Sequence, residues 1–435
     1  MTYKEPCREI PVIARPDVLV LGAGPAGIGA AVWAARRGAE TMLVEQAGEV
    51  GGISTIGLMS HWTGRTEGGF YEEVLDRSAD RNDASSDYGF NGSARQLINP
   101  ERLKTVYLEM LEEAGVRLRL YTFASDVIME GNTLKGVILE SKSGREAVFA
   151  KVIVDCTGDG DIAAKSGAAY YKGREEDGAM QPASIMFKVG GVDYSRAIFP
   201  GGFEDEIQVP AGEIQHLGKQ ELPFPAGHVL LYRSTLPGVV TCNMTNCTGI
   251  DGTNTDDLVR ATIQCRKQLD PILRFLRQYA PGYENCYLLE TADLIGIRET
   301  RHFKGVETIT AEDIQNARVF EDWAVTKALF NFDVHNMTGN GLDATGSQKE
   351  FRQTGGYTIP YGCFVPESVD GLLLAGRNIS GTHMAHANFR VMPICINMGQ
   401  SVGIAAALAA LHGIRPRDVN VKELQEILRG YGVNP

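Results

Sequence analysis

The sequence lacks closely spaced cysteine pairs. Its eight cysteines are scattered, and the nearest two, Cys242 and Cys247, are separated by four residues. The Cys-x-x-Cys spacing of disulfide reductases, iron–sulfur proteins and zinc ribbons does not occur. This absence excludes a redox-active disulfide and a recognisable cysteine-ligated cluster, and it favours free, buried thiols.

An excess of positive charge is also lacking. The chain has 42 Lys and Arg residues against 54 Asp and Glu, a formal net charge of −12. Nucleic acids and anionic membranes attract positive charge, so we expect neither as a partner. Residues 1–13 contain no apolar segment typical of a signal peptide, and we expect no membrane-spanning run elsewhere. The expectation is a cytoplasmic enzyme without membrane insertion.

A strand, a turn, a helix and a second strand follow one another within residues 17–46. The apolar run 18–21 predicts a buried parallel strand, and the glycine-rich turn 22–27 opens an alanine-rich helix that ends at Gly38. A second apolar run, 41–44, completes the unit. The pattern predicts a dinucleotide-binding unit of the Rossmann type.

Each glycine of the turn has a physical role in such a unit. Gly22 permits the tight turn, Gly24 lets the backbone approach a diphosphate, and Gly27 lets the helix pack closely on the strand. An acid after the second strand is placed to accept the hydroxyls of an adenosine ribose. The predicted cofactor contacts here are Gly22, Gly24, Pro25, Ala26, Gly27, Glu45 and Gln46.

A second glycine pair, Gly51-Gly52, follows Glu45 after five residues. In two-domain flavoproteins an E-x5-G-G stretch lets the backbone lie along the FAD diphosphate and ribityl chain. On these residues the chain resembles FAD-dependent oxidoreductases of the broad fumarate reductase (succinate dehydrogenase flavoprotein) and glutathione reductase type. Within them it is most similar to the single-chain FAD-dependent oxidoreductase family. The resemblance implies an FAD cofactor, and no second GxGxxG turn indicates a nicotinamide domain.

Later segments carry the same resemblance. The small-residue turn after the buried strand 151–155 resembles a family element that passes the FAD, although Asp159 could instead cap a helix. After the apolar run 371–375, Arg377 stands where the commoner pattern has an aspartate. The resemblance implies these further cofactor contacts: Gly51, Gly52, Ala124, Thr157, Gly158, Asp159, Gly376, Arg377, Asn397 and Gly399.

Candidate catalytic residues are arginines, histidines and a tyrosine. Arg298 and Arg301 belong to a motif that resembles the family, and they could clamp a carboxylate or steady an oxyanion. The alternative for Arg298 is a structural turn held by a salt bridge. His383 is the first candidate for a group beside the flavin, with Tyr357 lining the cleft.

Other histidines are weaker candidates. His61 lies in a stretch that passes close to the flavin in the resembled family, and the alternative is an ordinary loop residue. His335 is interpreted as structural rather than catalytic. His383 and His386 are three residues apart, but no third ligand is suitably spaced, so the sequence predicts no metal site.

The resemblance implies an α/β fold with a discontinuous Rossmann-like FAD-binding domain, residues 1–166 plus 351–435, and an inserted α+β substrate domain, residues 167–350. The predicted reaction is hydride transfer between a small organic substrate and flavin N5, with an unknown electron acceptor. The alternatives are a fumarate-reductase-like C=C reductase and a flavin-carrying subunit of an electron-transfer complex. A homodimer is a further expectation.

Overall fold

A five-stranded parallel sheet carries the predicted dinucleotide turn. The structure is a computed structural model that describes residues 2–78, 95–203, 205–341 and 353–435. In spatial order, the strands of this sheet are β21 (Leu372–Leu374), β10 (Val152–Asp155), β2 (Val18–Leu21), β3 (Thr41–Val44) and β6 (Arg117–Arg119). Every neighbouring pair is parallel. Strands β2, β3 and β10 are buried along their length, as continuous apolar runs require.

Two four-stranded sheets accompany the parallel sheet. The first is a meander to which the N-terminal arm adds an edge strand, with the order β1 (Val12–Ala14), β9 (Gly144–Phe149), β8 (Thr133–Ser141) and β7 (Phe123–Glu130). The second sheet is antiparallel, with the order β15 (Leu231–Arg233), β16 (Val240–Cys242), β12 (Phe187–Gly190) and β17 (Tyr287–Thr291).

Short antiparallel pairs and helices complete the described part of the chain. The pairs are β4 (His61–Thr63) with β5 (Arg95–Leu97), β11 (Tyr170–Lys172) with β18 (Arg301–Phe303), β13 (Gln208–Val209) with β14 (Gly212–Glu213), and β19 (Trp323–Ala328) with β20 (Tyr357–Pro360). The helices are α1 (Pro25–Arg36), α2 (Gly69–Ser78), α3 (Pro100–Glu113), α4 (Asp161–Lys165), α5 (Ile214–Glu221), α6 (Thr255–Tyr279), α7 (Ala311–Gln315), α8 (His383–Phe389), α9 (Met392–His412) and α10 (Val421–Arg429).

The apolar side chains form separate cores. The largest core joins the parallel sheet to α1, α3 and α9, and another joins the second antiparallel sheet to α5 and α6. Phe303, Trp323 and Phe332 pack in the first core although they fall within the predicted substrate domain, 167–350. The predicted boundary after residue 350 lies outside the described residues, so the domain division stays a prediction. The α/β class with a Rossmann-like sheet is confirmed.

Helices α1 and α9 cross with their backbones almost in contact. A Cβ added at Gly399 of α9 would lie 2.0 Å from the Ala26 carbonyl oxygen, and one added at Gly403 would lie 2.3 Å from the Ala30 carbonyl oxygen. In the other direction, a Cβ on Gly29 would lie 2.5 Å from the Ile396 carbonyl oxygen. Only glycine permits so close an approach, so these positions hold the two helices in one relative placement.

Helix α9 corrects one expectation. By length and composition, Met392–His412 is apolar enough to cross a membrane, whereas the sequence analysis expected no such segment. In the structure, 94% of its most apolar window is buried inside the protein. The core helix of a folded domain shows the same composition, because it is covered by protein on every side.

The cysteines are free, as predicted. Cys7 is exposed, and the other seven are buried. Burial raises the pKa of several of these thiols, including Cys156, Cys242 and Cys363. Buried thiols of this kind are unreactive because the thiolate is disfavoured.

The crossing of α1 and α9 yields a stability prediction. Gly399→Ala should destabilise the fold by about 2 kcal/mol or more, because the added methyl meets backbone that cannot rotate away. Gly218→Ala in α5 is the milder comparison, since its Cβ would meet a Val229 methyl group at 3.0 Å and the Gly227 carbonyl oxygen at 3.2 Å, against 2.0 Å at Gly399. Thermal unfolding of both variants tests this, and equal midpoints would show that the crossing tolerates a methyl group.

Candidate active site

The predicted cofactor residues converge on one cleft at the carboxyl edge of the parallel sheet. The cleft has a volume of about 390 Å³, and its far wall includes Ser184, Met186 and Asn243. Ligands of open parallel sheets bind outside the carboxyl ends of the strands, where this cleft lies. The predicted cofactor residues that line it are Gly22, Gly24, Pro25, Ala26, Glu45, Gln46, Gly52, Ala124, Thr157, Gly158, Asp159, Gly376 and Arg377.

The glycine turn has the geometry that its spacing predicts. Gly22 has a φ of +90°, which favours glycine, and a Cβ there would lie 2.5 Å from the Cys156 carbonyl oxygen. A Cβ on Gly27 would lie 1.8 Å from the Gly22 carbonyl oxygen. A Cβ on Gly24, in contrast, meets no atom within 4 Å. Gly24 therefore borders open space at the N-terminus of α1, where a phosphate would lie.

Glu45 is held rigidly at the end of β3. One carboxylate oxygen accepts a hydrogen bond from the Ala23 amide at 2.7 Å, and the other accepts from the Ala47 amide at 2.8 Å. Each carboxylate oxygen can accept a further hydrogen bond. The side chain can therefore join the turn after β2 to the segment after β3 and still accept ribose hydroxyls.

Two arginines and a threonine surround Asp159. Its carboxylate receives Arg377 Nη2 at 2.7 Å and the Thr300 hydroxyl at 2.6 Å. Arg301 Nη1 donates to the Asp159 carbonyl oxygen at 2.8 Å and to Asp161 at 2.9 Å. Arg301 therefore supports the turn after β10 and does not line the cleft.

The alternative function of Asp159 as a helix cap is not what the structure shows. The first amide of α4, that of Asp161, donates to the Thr157 hydroxyl at 3.0 Å, and the next two, those of Ile162 and Ala163, donate to the Asp155 carboxylate at 3.0 and 2.8 Å. Asp155 is fully buried at the end of β10. Asp155, at the end of β10, therefore caps α4, and Asp159 lines the cleft.

Four predicted cofactor residues do not line the cleft. Gly27 contacts the turn, and the Gly51 amide donates to the Ala23 carbonyl oxygen at 2.7 Å. Asn397 accepts from the Tyr71 amide at 2.9 Å and donates to the Gly68 carbonyl oxygen at 3.1 Å. Gly399 contacts α1. These residues support the segments that carry the cleft.

The inner end of the cleft is lined by ionisable side chains from three separate segments. They are Arg298, the pair Asp333 and His335, and Arg390, which follows α8. Arg390 Nη2 lies 3.1 Å from the Asp333 carboxylate, and His335 Nε2 lies 3.4 Å from it. The Gln181 side chain accepts from the His335 amide at 3.1 Å and from Arg390 at 3.4 Å. We call these four residues the inner charged group.

The ionisation of this group follows from its burial and mutual contacts. Loss of solvent and the nearby Arg298 charge lower the pKa of His335 to about 4, so the ring is neutral at pH 7. Loss of solvent and repulsion from Arg390 lower the pKa of Arg298 to about 10. For Asp333, burial favours the neutral acid, but attraction to His335 and the arginines outweighs it and lowers the pKa.

Besides Arg301, three of the predicted catalytic side chains lie away from the cleft lining. The Tyr357 hydroxyl is buried and donates to Asn388 at 2.8 Å. His61 stacks on Tyr232 with ring centroids 3.4 Å apart. His383 is 2% exposed, and its Nδ1 lies 2.6 Å from Glu299. Of the predicted catalytic residues, Arg298 lines the cleft.

The sequence interpretation missed the remaining members of the inner charged group. His335 was interpreted as structural and Asp333 was not a candidate, although their i, i+2 spacing can place two side chains on one side of an extended segment. Arg390 stands two residues before α9, whose N-terminal residues line the cleft. This position, just before a helix, was the sequence feature that could have indicated Arg390 as a site residue.

Comparison with known proteins agrees with the geometry. Residues 17–428 match the family described as FAD dependent oxidoreductase. A comparison with curated proteins finds no match.

Solved structures with similar folds span nearly the whole chain. A geranylgeranyl bacteriochlorophyll reductase-like protein from Thermoplasma acidophilum is 13% identical, with a TM-score of 0.52, over 96% of this chain and 83% of that one. A p-nitrophenol 4-monooxygenase from Pseudomonas putida is 11% identical, with a TM-score of 0.47, over 95% and 83%. At such identities the first likeness shows the fold alone. The narrower kinship with fumarate reductase and glutathione reductase stays a prediction.

The cleft residues fit FAD. The open space at Gly24, the N-terminus of α1 and the fixed Glu45 carboxylate match the needs of a diphosphate and an adenosine ribose. Val391 and Met392, at the N-terminus of α9, line the same cleft. The positive end of a helix there favours negative charge on a bound ring system.

A substitution at Gly24 should weaken cofactor binding without changing the stability of the fold. Gly24→Val should lower FAD affinity by at least about tenfold, which corresponds to 1.4 kcal/mol, because the side chain fills space needed by the diphosphate. The apoprotein should unfold at the wild-type temperature, since a Cβ at Gly24 meets no atom within 4 Å. FAD titration and thermal unfolding of the apoproteins test both halves. Wild-type FAD affinity would contradict the placement of the diphosphate.

Proposed function

Because the chain belongs to the FAD dependent oxidoreductase family, we propose that it oxidises a small organic anion bound at the inner charged group. FAD, when bound, supplies the hydride acceptor at flavin N5. The observation that carries the proposal is the charge of this group, which has two arginines and one carboxylate around neutral histidine. A carboxylate-bearing substrate, such as a hydroxy acid, complements that charge.

Arg298 is the group that remains for the substrate. Arg390 is paired with Asp333, whereas Arg298 makes one hydrogen bond among the described residues, from Nη1 to the Pro182 carbonyl oxygen at 2.6 Å. Its guanidinium has further donors, and a carboxylate can accept two of them in parallel. An anion beside Arg298 would also offset its repulsion from Arg390, which contributes to the lowered pKa of Arg298. We therefore assign Arg298 the role of substrate anchor.

His335 is the proton acceptor in this proposal. It lines the cleft, its backbone amide is held by Gln181, and Asp333 lies beside its Nε2. Its lowered pKa keeps the ring neutral at pH 7, which is the form that accepts a proton. The neighbouring carboxylate stabilises the charged ring that forms. His383, the first candidate from the sequence for a group beside the flavin, does not line the cleft, whereas His335 does.

The reductase direction is a second candidate supported by one observation. Arg298 lines the cleft with guanidinium donors left over from its one hydrogen bond among the described residues, and loss of solvent together with repulsion from Arg390 lowers its pKa to about 10. A C=C reductase would use it to protonate the substrate carbon. The electron acceptor, the cytoplasmic location and the homodimer stay predictions.

An anaerobic experiment tests the proposed function directly. Purified enzyme with FAD is titrated with hydroxy acids, amino acids, neutral alcohols and amines, and flavin absorbance is recorded. We expect bleaching by a class that carries a carboxylate. Reoxidation of dithionite-reduced enzyme by unsaturated acids, with no bleaching by any reduced substrate, would establish the reductase direction instead.

The anchor makes a prediction about substrate binding. Arg298→Met should raise the Kd of the anionic substrate about 10- to 100-fold, because a charge-assisted hydrogen bond contributes about 1.5–3 kcal/mol. The methyl ester of the same substrate should bind both enzymes alike. Arg266→Met, which removes an exposed arginine that contacts Thr291, is the control. Unchanged Kd in Arg298→Met would remove the anchor from the proposal.

The base makes a prediction about rate and pH. His335→Asn should lower the rate constant of flavin reduction by about 10²- to 10⁴-fold, the usual contribution of a general base. In the wild type this rate constant should fall as pH drops through about 4, where His335 becomes protonated. His228→Gln is the control, because His228 is buried nearby but does not line the cleft. A wild-type rate in His335→Asn would assign the proton to another group.

A further inference from the structure

Behind the inner charged group lies a second set of side chains that the proposed function does not use. It consists of Glu299, His302, His383 and His386, each at most 2% exposed. Residues 299 and 302 flank the start of β18, and residues 383 and 386 belong to α8. We call these four residues the histidine cluster.

The cluster is organised around one carboxylate oxygen. Glu299 Oε1 lies 2.6 Å from His383 Nδ1 and 2.8 Å from His302 Nε2. The rings of His302 and His386 meet edge to face, with centroids 4.8 Å apart and planes at 79°. One potential ligand atom from each of Glu299, His302 and His386 lies within 4.8 Å of the other two.

Hydrogen bonding leaves ring nitrogens of the cluster without partners. Within the described part of the chain, no partner is found for Nδ1 of His302, Nδ1 of His386 or Nε2 of His383. A buried polar atom without a hydrogen bond costs about 1–3 kcal/mol. The hydrogen bonds to Glu299 therefore satisfy only some of the buried ring nitrogens of the cluster. They do not explain why the His386 ring is buried there.

We propose that Glu299, His302 and His386 bind a divalent first-row transition metal ion. Metal bonds to imidazole nitrogen and carboxylate oxygen are about 2.0–2.2 Å long, so ligand atoms in a complete site lie about 3–4 Å apart. Small side-chain rotations would bring the present separations into that range. Imidazole with one carboxylate suits zinc and iron rather than calcium or magnesium.

His383 has a supporting role at this site. A carboxylate that binds a metal is commonly hydrogen-bonded to a further residue, which orients it. The bond from His383 Nδ1 to Glu299 supplies that orientation. The Glu175 carboxylate, which accepts from the His383 amide at 3.1 Å, adds negative charge that offsets the charge of the ion.

The site would connect the two arginines of the inner charged group. Glu299 follows Arg298 directly, and His386 precedes Arg390 by one helical turn. An ion bound to both segments fixes the separation of the arginines without contacting the cleft. The sequence could not indicate this site, because its ligands come from segments more than 80 residues apart.

Metal content tests the proposal independently of any substrate. Enzyme with bound FAD, carrying Cys7→Ser to remove the exposed thiol, is stripped with a chelator, refilled with Zn²⁺ and desalted. Mass spectrometry should find about one zinc per chain, held by three protein ligands with one coordination position left for water. His302→Asn, His386→Asn and Glu299→Gln should each retain less than about a tenth of that, and the exposed His412→Asn should retain all of it.

Two further measurements complete the test. Competition with a chromophoric chelator should show about a 10- to 100-fold loss of Zn²⁺ affinity in His383→Asn, as expected for a residue that orients a ligand. Zn²⁺ should also raise the unfolding temperature of the stripped wild type. The proposal is overturned if the wild type keeps no more zinc than the His302→Asn/His386→Asn double variant. It is overturned equally if the desalted wild type keeps no zinc, a result that holds even if a variant fails to fold.

Discussion

The close crossing of α1 and α9 is the constraint on which the cleft depends. Helix α1 begins at the glycine turn, and α9 begins beside the inner charged group, so both positive helix ends face one cavity. Glycines at 29, 399 and 403 bring the backbones together, and a side chain at any of them would push the helices apart. The distance between the diphosphate end and the reacting end of the cleft is therefore set by backbone packing, which varies little.

The arginines along the cleft differ in how completely nearby carboxylates neutralise their charge. Near the turn after β10, Arg301 and Arg377 are neutralised by Asp161 and Asp159. At the inner end, one carboxylate faces two arginines, which leaves net positive charge. The ion pairs near the turn after β10 hold a segment that lies along the cofactor. At the inner end of the cleft, an incompletely paired arginine is available to a ligand. The same residue type thus serves structure in one place and binding in another.

Local sequence patterns predicted individual strands, helices and turns. They did not predict which side chains from distant segments come together in the fold. The turn 22–27 and Glu45 are specified by neighbours within thirty residues, so spacing alone indicated their roles. Arg301 is held away from the cleft by Asp161 and Arg298 is held by the Pro182 carbonyl oxygen, and both partners lie far away in the sequence. Asp333 and His335 carried no motif, and their proximity to Arg390 arises only from folding. Helix α9 is long and apolar enough to span a membrane, contrary to the expectation, and its burial explains this composition, because a core helix is covered by protein on every side.

Residues 298–302 show how one short segment can serve three environments. Arg298 points into the cleft, and the next residue, Glu299, points into the histidine cluster. Thr300 then points to the turn after β10. A displacement of this segment would therefore disturb substrate anchoring and cofactor support together, because no flexible linker separates them. His302 and Glu299 fix it from the buried side, against α8, and Thr300 fixes it from the cofactor side. Opposed contacts of this kind restrict an arginine at the cleft more strongly than a contact on one side could.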